Sequence, residues 1–212
     1  MNLNKYIDHT LLKQTATLDD IRKLCKEAIE YNFTSVCVNP CFVNYASNLL
    51  KNSNVKVCTV IGFPLGANCS LVKVYEANLA ILDGANEIDM VINISDAKMH
   101  NFKNIEIEIK EVKRVCKSVV LKVIIETCLL SDYEKKSVCQ AIINAGADFV
   151  KTSTGFSTSG ATIDDIKLLK TICDGKLKIK ASGGIKNKST AIEMITAGAD
   201  RIGTSSGVEI VK

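Results

Sequence analysis

Short apolar runs recur along the chain and alternate with longer stretches of helical apolar spacing, a pattern that predicts repeated strand and helix units. Eight runs read as strands, at 6–10, 35–39, 56–62, 87–93, 119–126, 149–152, 178–181 and 201–203. The helix-to-strand joint repeats three times, in 80–89, 141–151 and 195–203. Each has an apolar helix end, a glycine suited to the left-handed position after it, and a strand beginning a few residues later. The opposite joint also repeats. Thr17-Leu18-Asp19-Asp20, Ser131-Asp132-Tyr133-Glu134 and Thr162-Ile163-Asp164-Asp165 each set a capping hydroxyl three residues before an acid. Eight strands with intervening helices predict a parallel (β/α)8 barrel, whose reactive groups gather at the C-terminal strand ends. A doubly wound open sheet is the rival, and the absence of Gly-x-Gly-x-x-Gly after the first strand counts against it. No linker or shift of composition divides the chain, so residues 1–212 are expected to form one domain.

Composition fits that interior. The chain is 47% hydrophobic but only 5% aromatic and has no tryptophan, which favours aliphatic strands under alanine-rich helices. The net charge of +4 comes from lysines interspersed with acids, as in 103–114, which reads as a solvated helix face; no nucleic-acid partner is expected. The first residues lack a targeting pattern and no apolar run approaches the roughly 18 residues of a membrane span. Nine cysteines, an odd number without a Cys-x-x-Cys pair, read as reduced thiols in a cytoplasm. With only His9 and His100 beside them, no metal site is expected. His9 has no carboxylate or serine at a triad spacing and is read as structural.

In a barrel the polar groups at the downstream strand ends share one mouth. Here they are Asp8 and Thr10, Cys37 and Asn39, Asp89 and Asn93, Lys122 and Glu126, Lys151 and Thr152, and Lys180. An amine attacks a carbonyl only when neutral, and a fixed positive charge from a second lysine makes that form easier to reach. Lys151 and Lys180 on neighbouring strands therefore read as Schiff-base chemistry. Lys178 shares Lys180's face but lies toward the strand's start and is assigned to the closed end. Asp89 reads by position as either a counter-ion or a proton carrier, and Cys37 reads as a buried small hydrophobe. Gly183, Gly184, Gly203, Thr204, Ser205 and Ser206 follow the last two strands, where barrels build phosphate sites from backbone N–H groups.

Seven motifs occur in order along nearly the whole chain: Ile7-Asp8-His9-Thr10-Leu11-Leu12, Ser35-Val36-Cys37-Val38-Asn39-Pro40, Gly62-Phe63-Pro64-Leu65-Gly66, Glu87-Ile88-Asp89-Met90-Val91-Ile92-Asn93-Ile94, Leu121-Lys122-Val123-Ile124-Ile125-Glu126-Thr127, the run from Ala147 through Lys151-Thr152-Ser153-Thr154-Gly155 to Phe156, and Lys180-Ala181-Ser182-Gly183-Gly184-Ile185. In this it resembles the deoxyribose-phosphate aldolase family of class I aldolases. The resemblance implies the (β/α)8 fold, cleavage of a sugar phosphate to two aldehydes, and no cofactor. It makes Lys151 the Schiff-base lysine, Lys180 the lysine that perturbs it, and Asp89 the carboxylate handling protons through water. It sets Cys37, Asp8 and Thr10 in the substrate pocket, where the strand-end residues Lys122 and Thr152 are expected beside them, and it makes the late glycine and serine loops the phosphate site. A homo-oligomer, dimer or tetramer, is expected. Two departures stand out. Phe156 occupies a position where some members carry a lysine that helps hold phosphate. The residues 208–212 lack the tyrosine-ended tail of some members, so no proton transfer by such a tail is expected. The alternatives are a sugar-phosphate binder without turnover, or an isomerase or synthase using a carboxylate base.

Overall fold

Period-two alternation puts successive strand side chains on opposite faces, and a strand with helices on one side and a barrel on the other must fill both. The computed structural model, which describes residues 2–212, resolves the eight runs into β1 Ile7–Leu11, β2 Ser35–Val38, β3 Lys56–Ile61, β4 Glu87–Val91, β5 Val120–Ile124, β6 Phe149–Lys151, β7 Lys178–Ser182 and β8 Arg201–Thr204. Each is parallel to the next, and β8 returns to β1 through Asp8 opposite Gly203, so the sheet is a closed barrel and the open-sheet alternative is excluded. Around it run α1 Leu18–Glu30, α2 Val43–Leu50, α3 Ser70–Leu82, α4 Ile94–Lys98, α5 Phe102–Val115, α6 Asp132–Ala145, α7 Ile163–Cys173, α8 Lys188–Ala197 and α9 Gly207–Val211.

The expected strands are all present; β1, β7 and β8 each run one residue further than expected, and β4 and β5 are trimmed for local reasons. β4 stops at Val91 because the Asn93 side chain turns to accept the N–H groups of Ser95 and Asp96 and opens α4. β5 stops at Ile124 because Glu126 lies at φ +52°, outside any strand conformation. The capping hydroxyls behave as read. Thr17 and Ser131 each close a reciprocal box with Asp20 and Glu134, and Thr162 accepts from the Asp165 N–H at 3.0 Å. Gly146 ends α6 at φ +75°, where a side chain would be strained, and its N–H returns to the Ile142 and Ile143 carbonyls.

The main core lies between barrel and helices. Val36, Ile88, Leu121, Val123, Ile179 and Ile202 face Ile21, Ala77, Ile105, Ile142 and Leu169, all buried. The barrel's interior differs. A small apolar group, Leu12, Cys37, Cys58 and Val60 with Phe63, fills one side, and charged groups fill the rest. Lys178 sits exposed at the closed end with its ammonium 5.7 Å from the centre of the Phe149 ring, as its place in the strand predicts.

Two strand ends are clamped from outside. Lys73 of α3, fully buried, donates to the Val91 carbonyl at 2.9 Å and to Glu108 of α5 at 2.7 Å; Glu108 accepts the Asn93 N–H and Glu76 accepts the Gly62 N–H. Burial raises the Glu108 carboxyl above its ordinary value while Lys73 opposes that shift. Removing one member of such a pair leaves the other charge uncompensated. Lys73→Met is expected to lower unfolding stability by about 3 kcal/mol, and Lys73→Met with Glu108→Leu to recover most of the loss. Urea titrations of the two variants check this; a double variant no more stable than the single one would refute the ion-pair account.

Candidate active site

The barrel floor is a network of seven charged groups on six strands. Asp89 of β4 lies at its centre. One carboxylate oxygen is 2.9 Å from Lys151 Nζ and 2.8 Å from Lys180 Nζ, while the other is 2.9 Å from Lys122 Nζ and accepts the Cys58 thiol at 3.1 Å. Lys122 also reaches Glu87 at 2.5 Å, and Lys180 pairs with Asp8 at 2.6 Å. Arg201, at the start of β8, bridges Asp8 and Glu87. Inward alternation of parallel neighbours aligns these residues: Asp89 stands opposite Lys122, and Lys151 opposite Lys180. Burial alone would disfavour every charge here, and the partners reverse it. Asp89 is held well below the ordinary carboxylate range by Lys122, Lys151 and Lys180, and Asp8 is lowered by Lys180, Arg201 and Lys122. Lys180 is raised by Asp8 and Asp89, and Lys122 by Asp89, Cys58, Glu87 and Asp8, so both stay ammonium ions.

Four cations thus meet three carboxylates. Lys122, Lys180 and Arg201 each contact two carboxylates, whereas Lys151 contacts only Asp89. Lys151 is also the one of the four that forms part of a cavity wall. The cavity, about 270 Å³, opens at the C-terminal strand ends between Thr10, Leu12, Lys13, Lys151, Phe156 and the loops after β7 and β8. Gly183, Gly184, Gly203 and Ser205 line it, and Lys13 and Lys186 stand at its rim. Among the described residues no carboxylate lines it. Gly203 is small for a reason: a Cβ there would sit 3.0 Å from both Lys180 Cε and Ser182 Cβ. The wall beside Lys151 is fixed by Glu126, whose carboxylate accepts the Thr154 N–H and, at 2.5 Å, its hydroxyl.

The family comparison agrees with this geometry. Residues 3–212 match the description "DeoC/LacD family aldolase". The chain belongs to the DeoC/LacD family of aldolases. Among its relatives is a deoxyribose-phosphate aldolase of Finegoldia magna, 56% identical over 212 residues and covering all of both chains. One from Carboxydothermus hydrogenoformans is 58% identical, covering 97% of this chain and 92% of the relative. A solved structure described as a unique tetrameric deoxyribose-phosphate aldolase from Aeropyrum pernix superposes with a TM-score of 0.93 at 36% identity, covering 99% of this chain and 89% of that one.

Within this aldolase the sequence-derived residues fall into two groups. Thr10, Lys151, Gly183, Gly184, Gly203 and Ser205 line the cavity. Asp8, Cys37, Asp89, Lys122 and Lys180 are fully buried beneath it, and Thr152, also fully buried, bonds Ser182 across β6 and β7. Lys122, Asp8, Cys37 and Thr152, expected in the substrate pocket, therefore sit behind the wall, the first two because their charges are consumed by neighbouring ions. Ser206 is also off the wall, its N–H turned to Thr204 Oγ1. Among the cavity residues missed from sequence are the polar Lys13, Thr154, Ser182 and Lys186. Lys186 had a readable signal, two residues past the Gly183-Gly184 turn; Lys13 is brought in only by the fold.

Cys37, Cys58 and Asp89 place three ligand-type atoms within 4.8 Å of one another. They do not suit a divalent ion. Both Asp89 oxygens already face ammonium groups, and Lys122 Nζ lies 3.5 Å from the Cys58 sulfur, so an added cation would stand among like charges. The Cys58 thiol is also pushed well up by burial, by its contact with Cys37 and by Asp89, away from the thiolate a metal requires. His9, read as structural, donates or accepts at Glu27 of α1 at 2.8 Å, outside the barrel.

Proposed function

We propose that the chain reversibly cleaves 2-deoxy-D-ribose 5-phosphate to acetaldehyde and D-glyceraldehyde 3-phosphate through a Schiff base on Lys151. The observation that carries this is that Lys151 alone joins the charged floor to the cavity wall. Lys151 Nζ, once its ammonium proton has passed to water in the cavity, adds to the C1 carbonyl, and loss of water leaves an iminium. The C3 hydroxyl gives up its proton as the C2–C3 bond breaks; its electrons pass to the iminium, forming an enamine and releasing the glyceraldehyde phosphate. Protonation at C2 and hydrolysis return acetaldehyde and the amine. Asp89, against both lysines, and Lys180 handle protons through water at Nζ and C2. The iminium is the electron sink, so the chemistry uses no metal or cofactor. The cavity's far end, with Gly183, Gly184, Gly203 and Ser205 below Lys13 and Lys186, takes the phosphate; Phe156 brings no charge to it. The cytoplasm, which suits nine free thiols, is the proposed location. A homo-oligomer is the proposed assembly, since the Aeropyrum pernix relative is described as tetrameric.

Incubation with acetaldehyde and borohydride followed by peptide mapping tests the central assignment. The adduct is expected on Lys151 alone, and an adduct on Lys180 would reverse the roles. The phosphate end has its own test. Ser205→Glu sets a carboxylate in a cavity that has none, and like charges in contact cost several kcal/mol. The kcat/KM for the phosphorylated sugar is expected to fall roughly 100-fold, mostly through KM, with unphosphorylated deoxyribose changed less than about threefold. Equal losses on both substrates would withdraw the phosphate assignment.

A further inference from the structure

The outer faces of most surrounding helices are charged, with Arg22, Lys23, Lys26 and Glu30 exposed on α1 and Asp164, Lys167 and Lys170 on α7. α3 is different. Its exposed residues are Leu71, Val72, Tyr75, Asn78, Leu79 and Leu82, none of them charged. Leu71 is 77% exposed, Tyr75 68% and Leu82 76%, and Ile107 of α5 extends the patch across the seam with Ser70. An isolated exposed leucine is ordinary, but five exposed apolar side chains, Leu71, Val72, Tyr75, Leu79 and Leu82, on one face of a helix are not.

We infer that the outer face of α3 is where two copies of this chain pack, as an antiparallel α3–α3 contact about a two-fold axis near Ala77. Three observations select a second copy as the occupant. With Leu71, Tyr75 and Leu82 each more than two-thirds exposed and Val72 and Leu79 beside them, the patch is on the order of the largest found on monomers, about 300–600 Å². It supplies most of the roughly 800 Å² per partner that a stable complex buries, leaving a modest rim to complete it. An isologous contact sets each patch against itself, so it tolerates an uncharged face and penalises a charged one. The spacing also closes under the two-fold: in that arrangement Tyr75 meets Leu79 of the other copy, and Val72 meets Leu82. Ala77 itself points into its own core, so the outer face beside the axis is formed by Asn78 with Tyr75 and Leu79. The inner face of the same helix carries Lys73 and Glu76, which clamp β3 and β4, so the contact braces the element that holds the strand of Asp89.

This rests on the homo-oligomer reading for the existence of an assembly and goes beyond it in placing the contact. Sedimentation velocity separates the two. At micromolar concentration the native chain, 23.0 kDa as a monomer, is expected at twice or four times that mass. Tyr75→Glu and Leu79→Lys are each expected to halve the native mass with an unchanged circular-dichroism spectrum, and Ile29→Lys on α1 to leave it intact. Mixing the Tyr75→Glu and Leu79→Lys chains is expected to restore assembly, because the pairing puts the two opposite charges together. A monomeric native chain would sink both readings. An assembled native chain whose mass neither variant changes, or folded variants that do not recover on mixing, would overturn the α3 contact alone. Should the variants fail to fold, a benzophenone side chain in place of Tyr75 decides: cross-linking to α3 of the other copy supports the contact, and cross-linking to any other segment overturns it.

Discussion

Lys151→Ala is expected to remove cleavage activity by at least about 10⁴-fold while leaving a folded protein that still binds the phosphorylated sugar. The size of the loss follows from the proposed role: without the amine no covalent intermediate can form, and the remaining groups would offer only positioning and the proposed phosphate cradle. The survival of the fold follows from the charge count on the floor. Four cations face three carboxylates, and Lys151 is the cation with a single partner, so its removal leaves Lys122, Lys180 and Arg201 paired with Asp8, Glu87 and Asp89. Stability is therefore expected within about 1 kcal/mol of the native chain or above it, since truncation here opens a wall rather than a sealed core. Single-turnover assays with calorimetric binding of the sugar phosphate measure both halves. Residual activity within about 100-fold of native would mean another amine carries the Schiff base.

Asp89→Asn is expected to be damaging in both respects. It keeps the shape but removes the one carboxylate shared by three ammonium groups, leaving two carboxylates for four cations in a buried site. Breaking buried pairs costs about 3–5 kcal/mol, which for a chain of this size lowers Tm by roughly 10 °C. Proton transfer at the same site suffers too, by about 10²–10⁴-fold in kcat. The pH dependence has a definite sign. The native Asp89 carboxyl lies well below its ordinary value of 3.8, so the stability it contributes is fully present above that pH and is lost as pH falls below it. The gap in unfolding free energy between native and Asp89→Asn proteins is therefore expected to be constant from about pH 7 to pH 5 and to narrow below about pH 4. A gap unchanged on acidification would mean the substitution acts through packing.

The repeated joints made the barrel legible. Helix caps at Thr17, Ser131 and Thr162 and the left-handed turn at Gly146 depend on contacts within a few residues, and local chemistry settles them. Strand ends were read too long where a side chain or a backbone reversal intervened, at Asn93 and Glu126, because period-two alternation continues past the last ladder bond. In the site, Lys151, Lys180 and Asp89 were visible as strand-end charges. Arg201 was not, since an arginine at a strand's start ordinarily reaches solvent, and here it turns inward to Asp8 and Glu87, residues 193 and 114 positions away. Lys122 could be placed on the right face but not at the right depth, because whether a long side chain ends in a cavity or beneath it depends on neighbouring strands. Lys13 was invisible for the same reason.

The interlocking of the floor also sets which changes the molecule can absorb over time. Each carboxylate of the floor answers to at least two cations, so a neutral substitution at Glu87, Lys122 or Arg201 removes one contact from each of two buried partners at once. The rim differs: among the described residues Lys13, Phe156 and Lys186 hold no ion pair, so replacing one leaves no buried partner uncompensated. A library that varies Lys13, Phe156 and Lys186 alone therefore alters the proposed substrate mouth and leaves the charged floor beneath it intact.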